Sequence, residues 1–287
     1  MSRRGWILFA LMAVIWGIPY FLIKIAVAEM PPVTLVFGRT ALATIVLLPL
    51  ALSRGALRPL LPHWRWLLAY TLAEVMLPWI LLSDSETRLS SSLAGLLIAA
   101  VPFVGVLLIW IFGGDDRPDA RRIGGLVLGF IGVGLVVGFN VSADDLGAVV
   151  EVGLVALGYA IGAMIIARCL RDLPSVGVIA VSLALTALVY AAPAIGGLPH
   201  TLSGRAILAV AVLGLVCSAL AFVLFFQLVA EVGPNRATVI TYFNPAVAIV
   251  VGALVLNEPI TLAMLVGFAL LAVGSYIGTR RRPPAPA

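Results

Sequence analysis

Apolar runs of about twenty residues succeed one another from end to end of this 287-residue chain. Each is long enough to cross a ~30 Å hydrocarbon core as a helix rising about 1.5 Å per residue. Only short polar breaks separate them, so no stretch remains for a soluble domain. The composition agrees: 62% of residues are hydrophobic and 11% charged, against about half and about a quarter in soluble domains. The pattern predicts an all-α membrane protein. In a soluble protein the net charge of +5 would raise nucleic acid as a partner. Here the arginines sit in short loops between apolar runs, where membrane topology explains them, and no nucleic acid is expected.

Reading the apolar runs between charged or turn-rich breaks gives ten transmembrane helices, near 7–28, 33–52, 65–82, 89–112, 122–139, 147–168, 175–195, 206–229, 236–256 and 260–278. One set of alternate loops and ends holds Arg3, Arg4, Arg54, Arg58, Arg65, Arg117, Arg121, Arg122, Arg168, Arg171, Arg236, Arg280, Arg281 and Arg282. The other holds Arg88 and Arg205 alone. Cytoplasmic Lys and Arg resist translocation, so both termini are expected in the cytoplasm, with the chain multi-pass in the cell membrane.

The chain also repeats itself. Pro31 and Pro174 lie 143 residues apart, as do Pro102 and Pro245, while Gly125 and Gly267, each opening a G-x6-G run, lie 142 apart. The first apolar run thus has a counterpart near residues 150–170, which argues against a cleavable signal peptide despite the MSRR start. Each repeat holds five helices, and because five is odd the second copy enters the membrane upside down. Two inverted five-helix repeats are an architecture from which secondary transporters are built, with a site near the midplane between the halves.

At these residues the sequence resembles the EamA-type transporters of the drug/metabolite transporter superfamily. WGIPYFLIKIA (16–26) followed by MPP is similar to that family's opening, and FGRTALA (37–43) to its arginine-containing second helix. NPAVAIVVGALVLNEPITLAMLVGFALLAVG (244–274) is similar to its most recognisable run, with Glu258 after the proline and Asp115 at the matching place in the first repeat. The likeness covers 6–138 as a first repeat and 149–279 as a second, inverted one. It implies a transporter of small metabolites, often an exporter, and no one substrate, because the family spans amino acids, drugs and other metabolites. The second repeat departs from the pattern: GYAIGAM stands where the first has WGIPYFLIK, and Ser182 stands where the first has Arg39.

Four ionisable residues fall within spans: Lys24, Arg39, Glu74 and Glu151. Charge in lipid is expensive, so each must reach an interface, a partner or a cavity. Lys24, the only lysine, lies about one turn from its helix end and either snorkels or joins Trp16 and Tyr20 in a stripe that suits an anionic or aromatic solute. Arg39 is deeper and needs an anion: a solute carboxylate or phosphate, or Glu74 or a loop acid as structural partner. Glu74 is a candidate for proton coupling or a paired structural acid, and Glu151 is expected to snorkel. Pro19, Pro78, Pro102 and Pro245 each remove a helix hydrogen bond and are candidate hinges or kinks. Gln227, Tyr242 and Asn244 could orient a solute.

Glycines at four-residue spacing, including Gly125 and Gly129, Gly134 and Gly138, and Gly158 and Gly162, permit close helix contact within one chain or in a homodimer. No phosphate loop, metal-ligand pair or nucleophile–base motif is present in the sequence, so no cofactor, metal or enzymatic activity is expected. A secondary transporter of small metabolites working by alternating access is the expected function. The alternative is a membrane scaffold or sensor that keeps the fold without transport.

Overall fold

The computed structural model describes residues 2–112, 120–233 and 237–279. Asp115, Arg117, Arg236 and Arg280 to Arg282 lie outside the described residues. The chain is all-helical, and among the described residues nine helical stretches are long and apolar enough to span a membrane. A tenth, shorter apolar helix occupies 262–277.

In chain order these are α1 (α1a Arg3–Ile15 and α1b Pro19–Val27), α2 (Pro32–Ser53), α3 (Arg58–Arg88), and α4 (α4a Ser91–Ile98 and α4b Val101–Phe112). Then follow α5 (Ala120–Asn140), α6 (Ala143–Leu170), α7 (Ser175–Gly196), α8 (Gly204–Val232), α9 (a 3-10 turn Thr238–Tyr242 leading into Asn244–Leu256) and α10 (Leu262–Thr279). Serine hydroxyls start three of them: Ser2 accepts from the Gly5 amide, Ser90 from Leu93 and Ser203 from Ala206, filling donors that a helix start leaves open. Asn257, with φ 55°, closes α9 in the left-handed conformation that asparagine tolerates.

Packing follows the repeat. α2 lies on α7, α4 on α9 and α5 on α10, while α1 lies on α8 and α6 on α3. Exchanging each helix for its counterpart five places on maps the first three pairs onto themselves and swaps the last two. That is the contact pattern of a two-fold relation, and with five helices per repeat the axis lies in the membrane plane. The α5–α10 seam is closed by glycine. A Cβ on Gly132 would stand 2.9 Å from the Gly267 carbonyl, and one on Gly274 would stand 2.9 Å from the Gly129 amide.

One helix boundary differs from the sequence expectation in a way that matters. α3 runs to Arg88 rather than stopping near 82. The polar run SDSETR reads as a loop, yet Ser83, Ser85 and Glu86 are buried where α1b, α2 and α6 pack on this end of α3.

Candidate functional site

Breaks in the helices cluster in mid-span and follow the prolines. α1 is interrupted at 16–18, just before Pro19 begins α1b. α4 breaks at Ala99 and Ala100 and restarts with Pro102 in its first turn, and α9 restarts the same way with Pro245. Proline suits these places because the first turn of a helix leaves its missing N–H without consequence. Pro78 follows a π-helical segment, Thr71–Met76 in α3. The repeat-related Val212–Leu220 of α8 is also π-helical, with Ala221 in the proline's place. Such wide turns accompany functional sites because they shift side chains off the regular helix face.

Arg39 is brought into the middle of these breaks. It is buried, its Nε donates to Ser218 Oγ in the α8 π segment at 3.0 Å, and its guanidinium carbon lies 3.7 Å from the Trp79 ring centroid. Tyr20, Tyr159, Cys217 and Glu86 are the other polar groups within its field. Among the described residues no carboxylate pairs with it, so of the two partners open to it a structural ion pair with Glu74 is not formed. The guanidinium is held instead by a hydroxyl and an aromatic face.

Two aromatic pairs flank this centre and are related by the 143-residue offset. Trp16 meets Phe222 edge-on, with centroids 5.9 Å apart, between α1 and α8. Tyr159 lies beside Trp79 between α6 and α3. Phe225, at 4.7 Å from Trp16, and Phe226 extend the first pair. The offset also relates Arg39 to Ser182, which receives the Thr71 hydroxyl at 2.9 Å. A neutral hydroxyl bridge therefore occupies the second position, and only one of the two related positions carries charge.

The stripe of Trp16, Tyr20 and Lys24 is not continuous, because the helix breaks between its first two members. Trp16 turns to the α8 phenylalanines and Tyr20 packs on Gly95 of α4a. Lys24 does not snorkel: its Nζ donates to the carbonyl oxygens of Glu86 at 2.7 Å and Leu89 at 2.8 Å, closing the C-terminal end of α3. Glu151, near the start of its helix, is ion-paired with Arg88. Glu74 is half-buried in the π segment with its side chain against Gly162 of α6. Gln227 accepts a bond from Arg4 at 3.4 Å, Tyr242 one from Ser275 at 3.0 Å, and the Asn244 amide oxygen is buried with no protein donor among the described residues.

Sequence reasoning missed Glu86, Trp79, Tyr159 and Ser218. Trp79 and Tyr159 carry a repeat signal, since Tyr159 and Trp16, and likewise Phe222 and Trp79, occupy equivalent positions, whereas Ser218 corresponds to Val75 and carries none. Glu86 lies beyond the apolar run from which the end of α3 is read.

The two ends of the bundle differ. At the face away from the termini, α1b packs on the last turns of α3 and on α4a. The repeat-related contact at the terminal face, the end of α6 against the end of α8, is not formed to a comparable extent among the described residues. Lys24 and Glu86 of the distal contact correspond to Ala167 and Val229 at the terminal one. By contrast the outer ties are matched: Arg88 binds Glu151 between α3 and α6, and its counterpart Glu231 accepts the Ser2 hydroxyl between α8 and α1.

The family model for the EamA-like transporter family matches residues 3–138 and 148–279. The chain is 24% identical over 279 residues to the uncharacterized transporter YvbV of Bacillus subtilis, covering 94% of this chain and 90% of that one. It is 29% identical over 254 residues to the uncharacterized inner membrane transporter YedA of Escherichia coli, covering 85% and 80%. A solved crystal structure shares the fold with a TM-score of 0.68 at 18% identity, over 97% of both chains.

Proposed function

The chain belongs to the EamA-like transporter family of the drug/metabolite transporter superfamily, and from that premise we propose a secondary transporter that exports a small anion-bearing metabolite by alternating access. The observation that carries this reading is the unequal closure of two symmetry-related contacts. An inverted pair of repeats can exchange the two arrangements, so that the distal contact opens as the terminal one forms. The paired breaks at Pro102 and Pro245 are the hinges of that exchange. With the arginine-rich terminal face in the cytoplasm, the arrangement described here is open to the cytoplasm, the loading state of an exporter in the cell membrane.

Arg39 anchors the solute. A buried guanidinium without a carboxylate partner favours an incoming carboxylate or phosphate group, and the aromatic pairs on either side suit an amphipathic body such as that of an amino acid. Losing a charge-assisted bond of about 1.5–3 kcal/mol weakens binding about tenfold or more. Purified protein in liposomes, tested with labelled amino acids and small carboxylates, is expected to move at least one of them saturably. Arg39→Gln should raise its KM by about tenfold. Transport no faster than through protein-free liposomes across that panel overturns the reading.

A further inference from the structure

Glu86 is fully buried, and among the described residues neither of its carboxyl oxygens has a hydrogen-bond partner. The groups around it serve other partners. Lys24, from α1b, gives its ammonium to the main-chain carbonyls of Glu86 and Leu89. Glu258, from the α9–α10 loop, accepts from the amides of Ser91 and Ser92 and from the Ser92 hydroxyl at the start of α4a. Arg39, from α2, is engaged with Ser218 and Trp79. The α6 helix contributes Glu151, which is bound to Arg88, and Asp84 on α3 itself is bound to the same arginine. Tyr20 of α1b completes the titratable groups that reach Glu86.

Three donors thus converge on Glu258 and none on Glu86, although the two carboxyl groups lie within each other's fields. Hydrogen bonds from donors favour a carboxylate's charged form, and Glu86 has none of them. An ionised Glu86 would have surrendered its hydration without gaining a donor, whereas a neutral carboxyl surrenders far less. When α1b leaves α3, water reaches Glu86, and Lys24 loses the two carbonyls and becomes free to pair with it.

We infer that Glu86 is a proton-binding site of the distal gate: it holds one proton while α1b is packed on α3 and α4a, and releases it to the distal side when they part. Closing the gate takes one proton from that side and opening returns it. The ratio of open to closed gate then rises tenfold for each unit of pH over the range in which the site titrates. The terminal gate, with Ala167 and Val229 in the corresponding places, has no such proton. The inference rests on the alternating-access reading only in requiring that α1b and α3 separate, and its test needs no solute.

The test uses the full chain with Cys169→Ser and Cys217→Ala, carrying spin labels through Ala28→Cys and Thr87→Cys, exposed positions at the distal ends of α1 and α3. Distances are measured across pH in lipid nanodiscs. The expected result is a short distance in acid giving way to a longer one as pH rises, with Glu86→Gln remaining short throughout and Glu86→Asp restoring the response. Infrared spectra of the unsubstituted chain should show a protonated-carboxyl C=O band that fades in step with the lengthening, is missing in Glu86→Gln and persists in Glu74→Gln. A distance that ignores pH, the same pH response in Glu86→Gln, or no band assignable to Glu86 overturns the inference. Absence of transport alongside a proton-linked distance change would sink the transporter reading and leave this one standing.

Discussion

The Arg39 guanidinium carbon lies over the Trp79 ring, 3.7 Å from its centroid, while Nε is tied to Ser218. A desolvated stack of this kind contributes about 2 kcal/mol, and it depends on the planar, delocalised charge that lysine lacks. Arg39→Lys keeps the charge and loses the stack, so it should leave the fold intact and weaken solute binding by less than the tenfold of Arg39→Gln. Trp79→Phe, which keeps a weaker aromatic face, should fall between Arg39→Lys and the unsubstituted chain. Solute KM in liposomes, read beside thermal unfolding in detergent, separates the two effects. An unchanged KM in Arg39→Lys with unchanged stability would mean that the solute does not use the guanidinium fork.

Lys24 offers a second prediction because its bonds are internal. A snorkelling lysine replaced by methionine would be close to neutral, since the stem packs alike and no buried bond is lost. Here Lys24→Met removes two bonds from a charged donor, each worth about 1.5–3 kcal/mol, and leaves the carbonyls at the end of α3 open. The expected outcome is a lower melting temperature and a weakened distal contact, with destabilisation of roughly 2 kcal/mol or more. A melting curve that superimposes on that of the unsubstituted chain would return Lys24 to the lipid interface.

Much of this architecture is legible in the sequence, for reasons that are physical. Spans follow from apolar length, and their two-fold arrangement from Pro31, Pro102 and Gly125 recurring after 142 or 143 residues. The helix breaks beside Pro19, Pro102 and Pro245 follow the same prolines. What escaped was side-chain partnership. Charge in lipid needs compensation, which points Arg39 to an anion, but a hydroxyl and an indole can also provide it. Hydropathy averages over a window, so the six polar residues around Glu86 read as a loop and outweigh the fact that one face of that segment is buried. Depth alone could not distinguish a lysine reaching for water from one reaching for the end of a neighbouring helix.

The loop that joins α1 to α2 gives a prediction about pH. Ser203 donates both its hydroxyl and its amide to the Glu29 carboxylate, at 2.6 and 2.8 Å, which holds the acid below its ordinary value of 4.5. A depressed folded-state value adds stability that is present above the ordinary value and fades as pH falls through the lowered one. Melting temperature should therefore decline on acidification below about 4.5, and Glu29→Gln should remove that part of the decline. Ser203→Ala should remove most of it too, while lowering the neutral-pH melting temperature slightly through loss of the α8 cap. Parallel acid profiles for all three proteins would show that the pair contributes nothing to pH dependence.

The glycines of α5 predict opposite outcomes at positions two residues apart. On Gly132 a methyl group would stand 2.9 Å from the Gly267 carbonyl and 3.1 Å from Leu270 Cβ, and backbone on the far side cannot give way without parting α5 from α10. Overpacking of this kind costs about 1–3 kcal/mol, so Gly132→Ala should lower the unfolding temperature. Gly134 has nothing within 4 Å of the same methyl group, and there alanine gains about 0.5–1 kcal/mol of helix preference. Gly134→Ala should thus be neutral or mildly stabilising. Because the seam joins the two repeats, Gly132→Ala should also lower transport, whereas Gly134→Ala should leave it unchanged. If Gly134→Ala proves the more damaging of the pair, the glycine spacing of α5 serves a contact outside this seam, with lipid or with a second copy of the chain.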